Sequence, residues 1–127
     1  MASSEQHSGL SALLPFLKER SMRIKTLERE AYTALYDEKD EPKYRVLMSE
    51  RAESIAELDA DAEELVDSLE EPLRSDVRAR LRMFAKGGRN ALRLESIFYM
   101  SALLYPDEHV QGEPDNLERL ISELETD

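Results

Sequence analysis

The sequence predicts an all-α protein, an elongated antiparallel up-down-up three-helix bundle with a short C-terminal amphipathic helix. Three observations predict it. Apolar residues recur at helical spacing over three long segments. The joints between the segments are short and end in Pro42 and Pro72. Glycine is scarce, four residues in 127, which disfavours turn-rich β architecture.

The first predicted helix spans about residues 13–37. Its stripe is Leu13, Leu17, Ile24, Leu27, Ala31 and Ala34, with Leu10 just ahead. Pro15 falls in its first turn, where a missing N–H costs little. Residues 1–9 are polar and serine-rich and are read as a flexible tail before a single domain over 10–127. The second helix spans about 42–70, with Met48, Ile55, Ala62 and Leu69 seven apart. Arg51 interrupts that stripe. The third spans about 72–104, with Leu73, Val77, Leu81, Phe84, Gly88 and Ala91 on one face. Short joints between long helices force antiparallel neighbours.

Pro106 to Pro114 reads as a loop. Asp115 then caps a short helix over about 115–125, with acidic Glu118 three residues on. Leu117, Leu120, Ile121 and Leu124 form its one apolar edge. A helix this short must dock on something.

Charge divides the chain. Its net charge is −11, yet from Pro72 to Tyr105 seven basic residues stand against two acidic ones. Arg74, Arg78, Arg82, Lys86, Arg89 and Arg93 step by three or four and line one side of the third helix. They can form an anion-binding row. The favoured reading is pairing with the second helix, where residues 42–71 hold ten acidic and three basic residues. The acidic remainder of the chain argues against nucleic acid.

Several chemistries find no support. The chain has no Cys, which excludes disulfides, cysteine–zinc sites and thiol catalysis. Gly87-Gly88 is the only glycine pair and lies in a helical pattern, not after a strand, so it is no phosphate loop. It serves either as a hinge or as a close-packing site. Glu50-x-x-Glu53 and Glu64-x-x-Asp67 have a spacing seen in magnesium-dependent helical enzymes. Both fall on the outer side of one uninterrupted predicted helix, so a metal-dependent enzyme ranks last. No catalytic residue, metal ligand or cofactor is implied. No apolar run is long enough for a bilayer, and the start lacks a secretory pattern, so a cytoplasmic protein is expected, without a membrane partner.

The end of the third helix is apolar around most of its circumference. Leu94, Ile97, Phe98, Met100, Leu104 and Tyr105 are its candidate partner or self-association surface. The expected cover is the C-terminal helix, docked near Ile97, Phe98 and Met100. A homodimer ranks next. Failing both, the surface is a groove for an amphipathic helix. The leading function is thus a non-enzymatic interaction protein with a protein partner or a second copy of itself. The helix–loop–helix run from Glu28 to Leu58, with its charged helices and short acidic turn, resembles flagellar export chaperones of the long-helix bundle kind. The resemblance spans about a quarter of the chain and implies a chaperone-like role, with no functional residue carried over.

Overall fold

The protein is all-α, with no strand among the described residues of a computed structural model that covers the backbone of residues 2–126 and the side chains of residues 9–126. The elements are α1 (Ala2–Tyr32), a π-helical turn (Thr33–Asp37), α2 (Glu41–Ala56), α3 (Leu58–Asp67), α4 (Leu73–Arg93), α5 (Ile97–Ala102) and α6 (Asn116–Thr126).

Helix α1 carries the predicted stripe. Leu13, Leu17, Ile24, Leu27 and Ala31 are all buried, and the stripe runs on into the π-helical turn at buried Ala34. It begins at Ala2, well before Leu13, so Pro15 lies in its interior and not in its first turn. Pro15 is exposed, which leaves the side lacking an N–H towards water. The side chains of residues 1–8, part of the predicted tail, lie outside the description. At the other end of α1 the helix widens. Glu38 N–H bonds the Thr33 carbonyl at 3.0 Å, and Lys39 takes a left-handed conformation at φ 55°. Asp40 then caps α2 by accepting from Lys43 N–H at 3.1 Å.

The second predicted helix is two helices. It breaks at Glu57, and the cause comes from its neighbours. Arg20 of α1 donates to the Ser54 carbonyl at 2.9 Å, and Arg89 of α4 donates to the Ala56 carbonyl at 3.1 Å. The Ala60 N–H turns to the Asp59 carboxylate at 2.8 Å. Inserting side chains into the carbonyl ladder bends a helix. Both arginines also pair across the break, Arg20 with Asp61 at 2.6 Å and Arg89 with Asp59 at 3.3 Å.

These contacts set the order of packing. Along α1, Gly9 lies against Leu69, Arg20 against Ser54 and Asp61, and Glu28 near Arg51, so α1 runs antiparallel to α2 and α3. Asp67 pairs with Arg78 and Asp59 with Arg89, so α3 and α4 are also antiparallel. The main core joins Leu13, Leu17, Leu58, Leu81, Phe84 and Leu120 among others.

The third predicted helix also ends early. Ser96 N–H reaches back to the Ala91 carbonyl at 3.2 Å and Glu95 N–H to that of Leu92 at 3.1 Å. This is the Schellman pattern, with Glu95 in the left-handed position at φ 51°. Ser96 then caps the short α5 through Tyr99 N–H at 3.2 Å. A residue with a Cβ is strained at that φ and glycine is not. Glu95→Gly is expected to stabilise the protein by about 0.5–1 kcal/mol, read as a shift in the urea midpoint at constant slope. A loss of stability would mean that the Glu95 side chain contributes more than its backbone strain costs.

Candidate functional site

The candidate surface at the end of the third predicted helix splits in two. Met100 packs inward with Met48, Ala52 and Ala91, and Leu104 joins the main core. Ile97 is partly buried beside Met100. These three are therefore core residues and not a docking surface, because the turn at Glu95 rotates α5 onto α2. Tyr105 is half-buried in a polar network. Only Leu94 and Phe98 of the six stand out, at 55% and 75% exposed.

The C-terminal helix does not cover them. Leu117, Leu120, Ile121 and Leu124 are buried, but against α1 and the main core, not over Ile97, Phe98 and Met100. Its polar edges explain the placement. Lys18 pairs with Glu125 at 2.7 Å, Arg80 with Glu123 at 2.6 Å, and Lys25 with Asp115 at 3.4 Å and Glu118 at 3.3 Å. Asp115 and Glu118 exchange backbone N–H bonds at 2.8 and 2.9 Å, the reciprocal cap that their spacing predicts.

What α6 leaves open is an apolar groove of about 440 Å³ between α4 and α5. Met83, Gly87 and Leu94 form one wall, and Tyr99 and Ala102 the other. Phe84, Ala91, Leu103 and Leu104 lie at its base, with Asn116 of α6 at one end. Gly87 keeps the groove open, because a Cβ there would stand 3.3 Å from the end of the Leu103 side chain. Met83 and Tyr99 are 62% and 53% exposed, and Phe98 stacks edge-on against Tyr99 with centroids 5.5 Å apart. Met83 and Gly87 are absent from the predicted surface because both lie among basic residues. Their spacing to Leu94, four then seven, was the signal that could have found them.

The basic row divides as well. Arg74 pairs with Glu71 at 3.5 Å in the joint before α4, Arg78 with Asp67, and Arg89 with Asp59. Among the described residues Arg82, Lys86 and Arg93 form no ion pair, and all three are exposed. The predicted pairing with the second helix therefore does not extend to them. Arg82 borders a hollow of about 340 Å³ between α3 and α4 with Asp59, Glu63 and Arg89, and none of the three lines the groove. Each immediately precedes a groove residue, Met83, Gly87 or Leu94, and so lies one step of about 100° around the helix.

The interruption at Arg51 is a structural centre. Arg51 is 1% exposed. Its guanidinium donates to the carbonyls of Met100 at 2.7 Å and Leu103 at 2.9 Å, at the end of α5. Glu28 lies 3.7 Å away and accepts the Tyr105 hydroxyl at 2.6 Å. Burial and then the bonds to Glu28 push Tyr105 up to about 12. Burial opposes the charge of Lys25, but the Tyr105 bond and the carboxylates of Asp115 and Glu118 outweigh it and raise its pKa. Burial raises Asp115 above the usual carboxylate range, against the pull of Lys25. An open cleft of about 930 Å³ overlies this network. Lys25, Glu28 and Glu118, which face it, are already engaged with Tyr105 or with each other.

Glu50, Glu53, Glu64 and Asp67 all lie on exposed faces. Among the described residues no three His, Asp or Glu side chains come together to hold a metal, and no helix is long and apolar enough to cross a membrane. Compared with known proteins, the chain matches no family model, no curated protein and no solved structure.

Proposed function

We propose that this chain is a non-enzymatic interaction module that takes an amphipathic helix of a protein partner into the groove between α4 and α5. One observation carries the reading. Met83, Leu94 and Tyr99 are large, more than half exposed and line one groove, and equally exposed Phe98 stacks on Tyr99 at its edge. Single exposed apolar side chains are ordinary, whereas a contiguous patch around a concave base marks a binding surface. A groove flanked by two helices suits an occupant with anchors at i, i+3 or i+4, and i+7. The cysteine-free composition fits a reducing compartment such as the cytoplasm.

The test uses a designed helical peptide with leucine anchors at that spacing and one tryptophan among them. The protein has no Trp, so peptide emission is read without background. A blue shift on titration reports entry into an apolar site. Leu94→Arg should weaken binding about ten- to a hundred-fold, the value of burying one leucine side chain. Val46→Arg, on exposed α2, should leave it unchanged. Equal binding by both variants would place the peptide elsewhere. A chain whose mass doubles on its own, and reverts with Leu94→Arg, would make a second copy the occupant.

A further inference from the structure

We infer that the open cleft over the Tyr105 network binds a small organic cation, a quaternary ammonium compound, against the rings of Tyr32 and Tyr36. The inference is independent of the groove between α4 and α5. Three observations carry it.

First, the cleft gathers aromatic rings. Tyr32, Tyr36 and Tyr105, three of the chain's five tyrosines, line it together with His109. Tyr32 and Tyr36 are 39% and 64% exposed. Their centroids are 6.1 Å apart and their planes are inclined at 47°, so the two rings form an open corner. A cation in that corner can stand within about 6 Å of both centroids, the range over which a ring face attracts it. Tyr105 already shows the preference. Lys25 Nζ lies 5.2 Å from its centroid, and the Arg51 guanidinium lies 5.6 Å from it. Among the described residues no cation of the chain lies over Tyr32 or Tyr36.

Second, the cleft is negative. Glu28, Glu113 and Glu118 line it against the single ammonium of Lys25. Behind them the opposite charges of Arg51 and Asp115 offset each other. Lys25 is held by Asp115 at 3.4 Å and Glu118 at 3.3 Å. It lies seven and eleven residues before the two tyrosines, or about 10 and 16 Å along the helix. Both spans exceed the screening length of about 8 Å at physiological salt. The two rings also stand where α1 ends, at the negative end of its macrodipole.

Third, the carboxylates are turned to other partners and do not converge. Both oxygens of Glu28 accept the Tyr105 hydroxyl, at 2.8 and 2.6 Å. Glu113 accepts Val110 N–H at 2.9 Å, and Glu118 accepts Asp115 N–H at 2.9 Å. A hard metal ion needs several oxygens at once, and among the described residues no three acidic side chains offer them. A quaternary ammonium has no N–H to satisfy. It needs ring faces and a negative field, and the cleft supplies both.

Choline titrated into protein with isotope-labelled tyrosine rings tests this by nuclear magnetic resonance. The ring signals of Tyr32 and Tyr36 should move along a saturating curve with a Kd of about 1 mM. Tyr99, which lines the other groove, should stay in place. The uncharged carbon isostere of choline should bind about ten-fold more weakly. Tyr36→Leu should weaken choline binding about three- to five-fold. Glu113→Gln keeps an acceptor for Val110 N–H but drops the charge, and should weaken binding about two- to five-fold at low salt. No saturation up to about 0.1 M choline, equal binding of the isostere, or equal movement of all five tyrosines overturns the inference. So does a Tyr36→Leu variant that binds choline as wild type does. Binding to phosphatidylcholine vesicles without a response to free choline overturns the small ligand in favour of a lipid surface.

Discussion

Arg51→Met is expected to destabilise the fold by about 3–5 kcal/mol, the usual cost of removing one partner from a buried, hydrogen-bonded charge pair. Methionine nearly fills the space, so the loss reports polar bonds and not a cavity. The carbonyls of Met100 and Leu103 would lose their donors, and buried acceptors without partners are expensive. Glu28 would keep the Tyr105 hydroxyl but lose its nearest positive charge. In a domain of this size the melting temperature should fall by roughly 10–20 °C. Arg51→Lys should cost less than Arg51→Met, because an ammonium keeps the charge but cannot span both carbonyls as a planar fork does. Urea unfolding of the three proteins checks the order. If Arg51→Met were as stable as wild type, the end of α5 would be held by packing alone.

The second large effect separates two adjacent glycines. At Gly88 a Cβ would lie 2.8 Å from the Ala56 nitrogen and 2.9 Å from the Ala52 carbonyl oxygen. Both are backbone atoms of α2 and neither can rotate away. Gly88→Ala should therefore cost about 1–3 kcal/mol even after the gain in helix propensity. At Gly87 the nearest atom is the end of the Leu103 side chain at 3.3 Å, which can shift by a few tenths of an ångström. Gly87→Ala should fall between no change and a gain of about 1 kcal/mol. Thermal melts of the two variants decide the matter. Equal behaviour would sink the idea that only Gly88 sets the approach of α4 to α2. Helix α4 passes through both positions unbroken, so close packing, not a hinge, explains Gly88.

The contrast between these residues shows what the sequence made legible. The stripes of the first two predicted helices were readable because burial repeats with the helical period, and Leu13, Leu17, Met48, Ile55 and Ala62 are all buried. The cap at Asp115 was readable because both partners lie within four residues. The break at Glu57 was not, since Arg20 and Arg89, thirty or more residues away, cause it. The turn at Glu95 has neither glycine nor proline. Its one local sign was Ser96, a good capping residue, set in an apolar run that continues the pattern across it. Periodicity told that the α6 edge must be covered, but not by which neighbour. Charge decided that, through Lys18, Lys25 and Arg80. Arg51 was visible as a fault in a stripe, and a lone arginine at a core position can equally be a core residue whose partners lie elsewhere.

That turn at Glu95 has a mechanical outcome. Both walls of the groove come from one stretch of chain, α4 and α5, joined by a corner whose hydrogen bonds span only Asn90 to Ser96. The separation of the walls is thus set by that short corner together with the Arg51 bonds and the Met100 packing that seat α5 on α2, like the gauge of a rail fixed at two ties. An incoming side chain that is too wide cannot be accommodated by sliding one helix over another. It must first strain the corner at Glu95 or break the Arg51 bonds that hold α5. Such a slot discriminates by thickness as well as by polarity, and it does so before any loop or domain has moved.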